Sequence, residues 1–252
     1  MATVFLTLQG KGGIGKSFVS STLAQYLLDQ GGTVHCIDTD PNNSTFSAYR
    51  GLTVEKLDIT EGAAINPRTF DQLIQMIVDS EKGAYFVVDN GSPSFIPMMS
   101  YLVENDVLGL LNDRGHRVVI NTVIAGGPDV TETLSCFDEM MAHTEADALV
   151  WFNAYFGALR QDGKDVEQFV IERYGERLFG TVVLQKLMEQ TFGRDVREML
   201  EQRFTFDEAI QSFDMMPATR IKRVKRELWD ALSLIFEEPV DRGKRRAKKE
   251  SS

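Results

Sequence analysis

Short runs of apolar and β-branched residues recur along the chain, alternating with longer stretches whose apolar positions fall three and four residues apart. The first run, Thr3-Val4-Phe5-Leu6-Thr7-Leu8, stops at Gly10. From Ser17 onward Val19, Leu23, Tyr26 and Leu27 keep helical spacing until Gly31-Gly32 ends the helix. Further strand-like runs are Val34–Ile37, Tyr85–Val88, Arg117–Ile124, Leu149–Phe152 and Thr181–Leu184. Between them Phe70, Leu73, Ile74 and Ile77 mark one helix, and Phe169, Val170 and Tyr174 another. Residues 186–236 read as consecutive helices, the last with Ile221, Val224, Leu228, Leu232 and Ile235 on one face. This alternation predicts an α/β fold of three layers, a mostly parallel central sheet with helices on both faces.

At the junction of the first strand and first helix stands Gly10-Lys11-Gly12-Gly13-Ile14-Gly15-Lys16-Ser17, which satisfies GxxxxGK[ST] in the context that the pattern requires. Glycines let the backbone curl so that successive N–H groups point at phosphate oxygens, and the helix N-terminus adds positive partial charge. Lys16 is positioned for the β- and γ-phosphates of a nucleotide and Ser17 for Mg²⁺. The Lys-Ser pair suits a terminal phosphate with its metal better than the pyrophosphate of a dinucleotide.

Asp89 ends the run Tyr85–Val88, at the carboxyl edge where ligands of open α/β sheets bind, and from there it can hold Mg²⁺ through water. Asp38 and Asp40 follow the second strand in Ile37-Asp38-Thr39-Asp40-Pro41. Asp40 is assigned to orient the water that attacks the γ-phosphate, and Asp38 to a more distant metal contact. For all three the alternative is a turn residue without chemistry.

Size and charge narrow the picture. With 252 residues, 43% of them hydrophobic, the chain can bury one sizeable core, so residues 1–238 are expected to form a single domain. No secretory signal or spanning apolar stretch is evident, which points to the cytoplasm. Cys36 and Cys136 lie far apart without a CxxC spacing, as expected of buried free thiols rather than a disulfide framework or zinc site. Net charge is −10, but residues 220–252 hold 11 Lys and Arg against 6 Asp and Glu. Arg220, Lys222, Arg223, Lys225 and Arg226 crowd the start of the last helix, and Lys244, Arg245, Arg246, Lys248 and Lys249 follow in a tail, 239–252, whose composition predicts disorder. These cations are candidates for a non-specific, salt-dependent DNA surface or for attachment to anionic membrane, the alternative being a solvated charged face.

Lys11-Gly12-Gly13-Ile14-Gly15-Lys16-Ser17, Asp38-Thr39-Asp40-Pro41 and the strand-end Asp89 together resemble the deviant-Walker-A ATPases of the ParA/MinD type, including plasmid-transfer and plasmid-stability members. The resemblance covers nearly the whole chain. It implies ATP or ADP with Mg²⁺ held by Gly10–Ser17 and Phe18, a metal site of Ser17, Asp38 and Asp89, and catalysis by Lys11, Lys16 and Asp40. In that family the early lysine, matched by Lys11, reaches the partner subunit's phosphates across an ATP-dependent homodimer. Asn153, at the end of Trp151-Phe152-Asn153, matches the position that contacts adenine. The implied function is a slow ATPase switch working with plasmid transfer or partition proteins, at the nucleoid or inner membrane. After Asp89 the chain reads Asn90-Gly91-Ser92-Pro93-Ser94-Phe95, which departs from the small-residue switch common in ParA proteins. Other readings of the same loop are a metabolic phosphoryl-transfer enzyme or ligase, a non-hydrolysing interaction module, and a redox relative, for which the cysteines are misplaced.

Overall fold

The structure, a computed structural model, describes residues 1–62 and 64–237. The expected tail, 239–252, lies outside the described residues. Seven strands build the central sheet: β1 (Thr3–Thr7), β2 (Val34–Asp38), β3 (Val54–Lys56), β4 (Tyr85–Asp89), β5 (Arg117–Ala125), β6 (Asp147–Asn153) and β7 (Leu178–Leu184). Their order is β7-β6-β5-β1-β4-β2-β3, and every neighbouring pair is parallel. The six strands expected from the hydrophobic runs are all present, and β3 is an addition at the edge.

Nine helices are described: α1 (Lys16–Asp29), α2 (Phe70–Val78), α3 (Phe95–Glu104), α4 (Val107–Asp113), α5 (Val130–His143), α6 (Val166–Tyr174), α7 (Arg194–Glu201), α8 (Phe206–Ser212) and α9 (Met215–Glu237). The two-residue period of the strands divides the core between the faces of the sheet. Val4, Leu6, Phe86, Val88, Ile120 and Val150 face one way and pack with Phe70, Leu73, Met98, Leu102, Phe137 and Val170 of α2, α3, α5 and α6. Phe5, Val87, Val119, Val123, Leu149 and Trp151 face the other and pack with Leu23 and Leu27 of α1 and with Ile221, Leu228 and Leu232 of α9. A strand buried on both faces must be apolar at nearly every position, and this is why the runs were legible.

β1 lies at the centre, between β5 and β4. From β1 the chain moves by α1 to β2, then returns to insert β4 beside β1, and only afterwards builds outward on the other side through β5, β6 and β7. A crevice therefore opens beyond the carboxyl ends of β1, β4 and β5, the switch point at which such sheets bind ligands. Among the described residues no helix is long and apolar enough to cross a membrane.

Candidate nucleotide site

The loop between β1 and α1 fills this crevice. Gly13 (φ 75°) and Gly15 (φ 103°) adopt left-handed conformations that side chains rarely tolerate, and Gly15 caps the N-terminus of α1. Ile14 between them is 1% exposed and packs into the core beneath α1, so it anchors the loop and leaves its backbone outward. Gln9 braces the entry: buried, it donates through Nε2 to the carbonyls of Val123 (3.2 Å) and Thr133 (3.1 Å). The Phe18 ring lies 6.4 Å from that of Phe206, centroid to centroid.

Lys16 is buried, with Nζ donating to the carbonyl of Lys11 (2.7 Å) and to Ser92 Oγ (2.6 Å). Burial lowers its pKa, while the neighbouring charges of Asp89 and Asp40 act in the opposite direction. Lys11 behaves differently. Its ammonium group is at the mouth of the loop, 2.8 Å from Glu132 Oε2 and 3.3 Å from Asp129 Oδ1, at the N-terminal end of α5. Hydrogen bonds to those carboxylates raise its pKa. The lysine expected to reach across a dimer is thus held within its own subunit here.

Asp89 ends β4 with its carboxyl group buried, accepting a hydrogen bond from Ser20 Oγ at 2.8 Å and another from the Ser17 side chain. Burial pushes its pKa up to about 7; the two serines and Lys16 oppose the shift and Asp38 adds to it. Asp38, 0% exposed, accepts from the backbone N–H groups of Asp40 (3.0 Å) and Ser47 (2.8 Å), with its pKa raised mainly by burial. Asp40 is half-buried, and its Oδ1 accepts from the N–H groups of Asn42 (2.9 Å) and Asn43 (3.0 Å). The structure therefore brings Lys16, Ser17, Asp38, Asp40 and Asp89 to one end of β1, β2 and β4. A chain of hydrogen bonds continues inward: Ser20 to Thr7 at 2.8 Å, Asn121 Nδ2 to Thr7 Oγ1 at 2.9 Å, and Trp151 Nε1 to Asn121 Oδ1 at 2.6 Å.

This oxygen set fits Mg²⁺. A buried carboxyl group whose ionised form is penalised by desolvation gains from a cation nearby, and the Ser17 hydroxyl stands beside it. Among the described residues no cluster of three or more His, Cys, Asp or Glu could hold an ion unaided.

Asn153, at the end of β6, uses both ends of its amide on backbone: Nδ2 donates to the Ile14 carbonyl (3.0 Å) and Oδ1 accepts from Tyr155 N–H (3.1 Å). It ties the β6 edge to the loop. Cys36 is buried as expected, but Cys136 is only partly so, its Sγ 3.5 Å from the N–H of Gly10. The basic start of α9 is also more occupied than its sequence implies. Arg220 pairs with the buried Asp195, Arg223 with Glu227 at 2.8 Å, and Lys225 with both Asp29 and Asp207 at 2.8 Å. Lys222 and Arg226 have no ion pair among the described residues.

Sequence reasoning missed Ser20, Ser92, Asp129 and Glu132. Ser20 had a signal, being one helical turn beyond Ser17 on the same face of α1. Ser92, Asp129 and Glu132 had none, because turns they do not share in sequence bring them to the lysines.

A parallel sheet whose central strand passes through a glycine loop into a helix, with a buried lysine and a strand-end carboxyl group at the loop, defines a P-loop nucleotide-binding protein. Residues 5–214 match the CobQ/CobB/MinD/ParA nucleotide binding domain, and the chain belongs to that family. It is 41% identical over 237 residues to Protein TraL of Escherichia coli, covering 92% of this chain and 98% of that one. The fold is shared with solved structures at low identity. They include the MinC:MinD cell division protein complex of Aquifex aeolicus, with TM-score 0.53, 13% identity and 90% and 95% of the two chains covered. The septum site-determining protein MinD of Pyrococcus horikoshii, complexed with Mg-ADP, has TM-score 0.51 at 16% identity, covering 90% and 96%.

Proposed function

We propose that this protein is an ATP-dependent switch of the ParA/MinD type. It binds ATP with Mg²⁺ at Gly10–Ser17, pairs with a second copy around the nucleotides and hydrolyses the ATP slowly. The cycle serves plasmid conjugal transfer, partition or positioning. The observation that carries this reading is the pair of lysines on one phosphate loop, Lys11 and Lys16, in a chain 41% identical to TraL over nearly all its length. Residues 1–238 act as one ATPase domain.

Each residue has a part that its position supports. Lys16 exchanges the Lys11 carbonyl and Ser92 hydroxyl for β- and γ-phosphate oxygens. Ser17 would ligate Mg²⁺, Asp89 would hold it through water and Asp38 would support that set; bound there, the ion would supply positive charge to offset that developing on the phosphates. Asp40 orients the attacking water. Lys11 leaves Asp129 and Glu132 for the phosphates of the partner subunit. Asn153 fixes the loop from the side on which the base is expected. Slow turnover is expected because, among the described residues, no arginine contacts these groups, and an arginine finger contributes about 10³–10⁵ in rate. Lys222 and Arg226, with the cations of the tail, offer the surface toward DNA or anionic membrane; the cycle runs in the cytoplasm, at the nucleoid or inner membrane.

Size exclusion with light scattering in a non-hydrolysable ATP analogue, ADP or no nucleotide, each with and without duplex DNA, tests the reading. A dimer with the analogue and a monomer otherwise is expected. The same mass in all three conditions would refute the switch.

A further inference from the structure

The face of the sheet beneath α1 and α9 is apolar at Phe5, Val87, Val119, Val123 and Leu149, and two polar side chains interrupt it, Thr7 on β1 and Asn121 on β5. Both are fully buried, and they are partners in register on adjacent strands. Asp89 is the partner of Thr7 on the other side. A hydroxyl or amide in such a layer is costly unless hydrogen-bonded, and these are bonded into one line that runs from Trp151 through Asn121, Thr7 and Ser20 to Asp89.

The line has a direction. An indole N–H can only donate, so the atom that faces it, 2.6 Å away, is the amide oxygen of Asn121. The amide nitrogen is thereby turned to Thr7 Oγ1 at 2.9 Å, where it too can only donate. Thr7 accepts there and gives its own proton to Ser20 Oγ at 2.8 Å. Ser20 in turn gives its proton to Asp89 Oδ1 at 2.8 Å, a shorter path than the Lys16 carbonyl at 3.1 Å. Every proton thus points toward the carboxyl group, and no member can reverse without leaving its neighbour unpaired. The side chains of Thr7, Asn121 and Trp151 make no hydrogen bond to Gly10–Ser17 among the described residues, so the line reaches the site through Ser20.

We propose that Thr7 and Asn121 are positioning residues for the metal. With Trp151 they set the direction of the hydroxyl protons, so that Ser20 always donates to Asp89 and holds its carboxyl group in the orientation from which it meets Mg²⁺ through water. The inference rests on the reading of Gly10–Ser17 and Asp89 as a nucleotide and Mg²⁺ site.

Calorimetric titration of the full chain tests it in two steps, ADP in the presence of chelator and then Mg²⁺ into the chelator-free ADP complex. The proteins compared are wild type, Thr7→Val, Thr7→Ser and Trp151→Phe. Thr7→Val keeps the shape of the side chain and breaks the line at a residue that does not touch Asp89. It should weaken Mg²⁺ binding ~10-fold and leave ADP affinity in chelator within ~2-fold. Thr7→Ser should restore the wild-type values. Trp151→Phe frees the amide to turn over and should weaken Mg²⁺ binding ~3-fold. Equal Mg²⁺ affinity in wild type and Thr7→Val overturns the proposal, as does a loss matched by an equal loss of ADP affinity in chelator, the mark of a merely structural role. Should Thr7→Val fail to fold, Trp151→Phe decides, and unchanged Mg²⁺ affinity there overturns it. A wild type that binds no ADP, or whose ADP complex takes up no Mg²⁺, overturns the reading of the site instead.

Discussion

The two lysines of the loop stand five residues apart and occupy opposite environments. Lys16 is buried among oxygens of its own loop and of the β4 edge, next to carboxyl groups that are themselves desolvated. Lys11 is at the mouth, a third exposed, on two carboxylates that water also reaches. An ion pair of the exposed kind contributes little to stability, so Lys11 can leave it at small cost. A buried ammonium group cannot lose its acceptors without replacement. The interior lysine is therefore committed to whatever occupies this subunit's loop, and the outer one is available to a second molecule.

Substitutions separate these halves. Lys16→Ala should have the largest effect, weakening ATP binding by about 100-fold or more as read by fluorescent-nucleotide titration; retained affinity would break the assignment of the inner half. Asp40→Ala should lower single-turnover hydrolysis about 10–100-fold while ATP affinity stays within about threefold, which separates orientation of water from binding. Lys11→Ala should weaken analogue-driven dimerisation about tenfold in sedimentation experiments and leave nucleotide binding by the monomer nearly unchanged. If it weakened monomer binding as much as Lys16→Ala does, the contrast between the lysines would disappear.

Asp89 gives a smaller test, on stability. Its carboxyl group has a folded pKa of about 7, raised from the ordinary value of 3.8, so the folded state favours the proton. In chelator, its contribution to stability should be undiminished below about pH 4, decline as pH rises toward 7 and stay reduced above it. Asp89→Asn should accordingly stabilise the nucleotide-free protein at pH 8 by on the order of 1 kcal/mol and lose that advantage toward pH 4. Thermal melts across that range would show it. An advantage that grew on acidification would contradict the burial of this carboxyl group.

Much of this was written in the chain before any coordinates. The runs that became β1, β2, β4, β5, β6 and β7 were apolar on both faces, and the glycine loop, Asp38 and Asp89 could be placed from where those runs ended. β3 was not legible, because Val54-Glu55-Lys56 is a three-residue edge strand with two exposed positions and little hydrophobic signal. The ion pairing of the basic start of α9 was not legible for a different reason. Its counter-charges, Asp29, Asp195 and Asp207, are on three other helices or their ends, and no local pattern announces an ion pair between distant segments. Ser92 was hidden in the same way, since only the turn after Asp89 brings it to Lys16.

The hydrogen-bonded line from Asp89 through Ser20, Thr7 and Asn121 ends on the indole of Trp151, one of two tryptophans in the chain. A buried indole thus stands at the inner end of a hydrogen-bonded line that begins at the carboxyl group proposed to hold Mg²⁺. Charge arriving at the carboxyl end of that line alters the polarity felt by a fully buried indole N–H, while Trp229, bonded to Asp29 at 3.0 Å on the α9 side, supplies a steady background. Replacing Trp229 with Phe leaves Trp151 as the single tryptophan, and a change in its emission on adding Mg²⁺ with nucleotide would report on the proposed site.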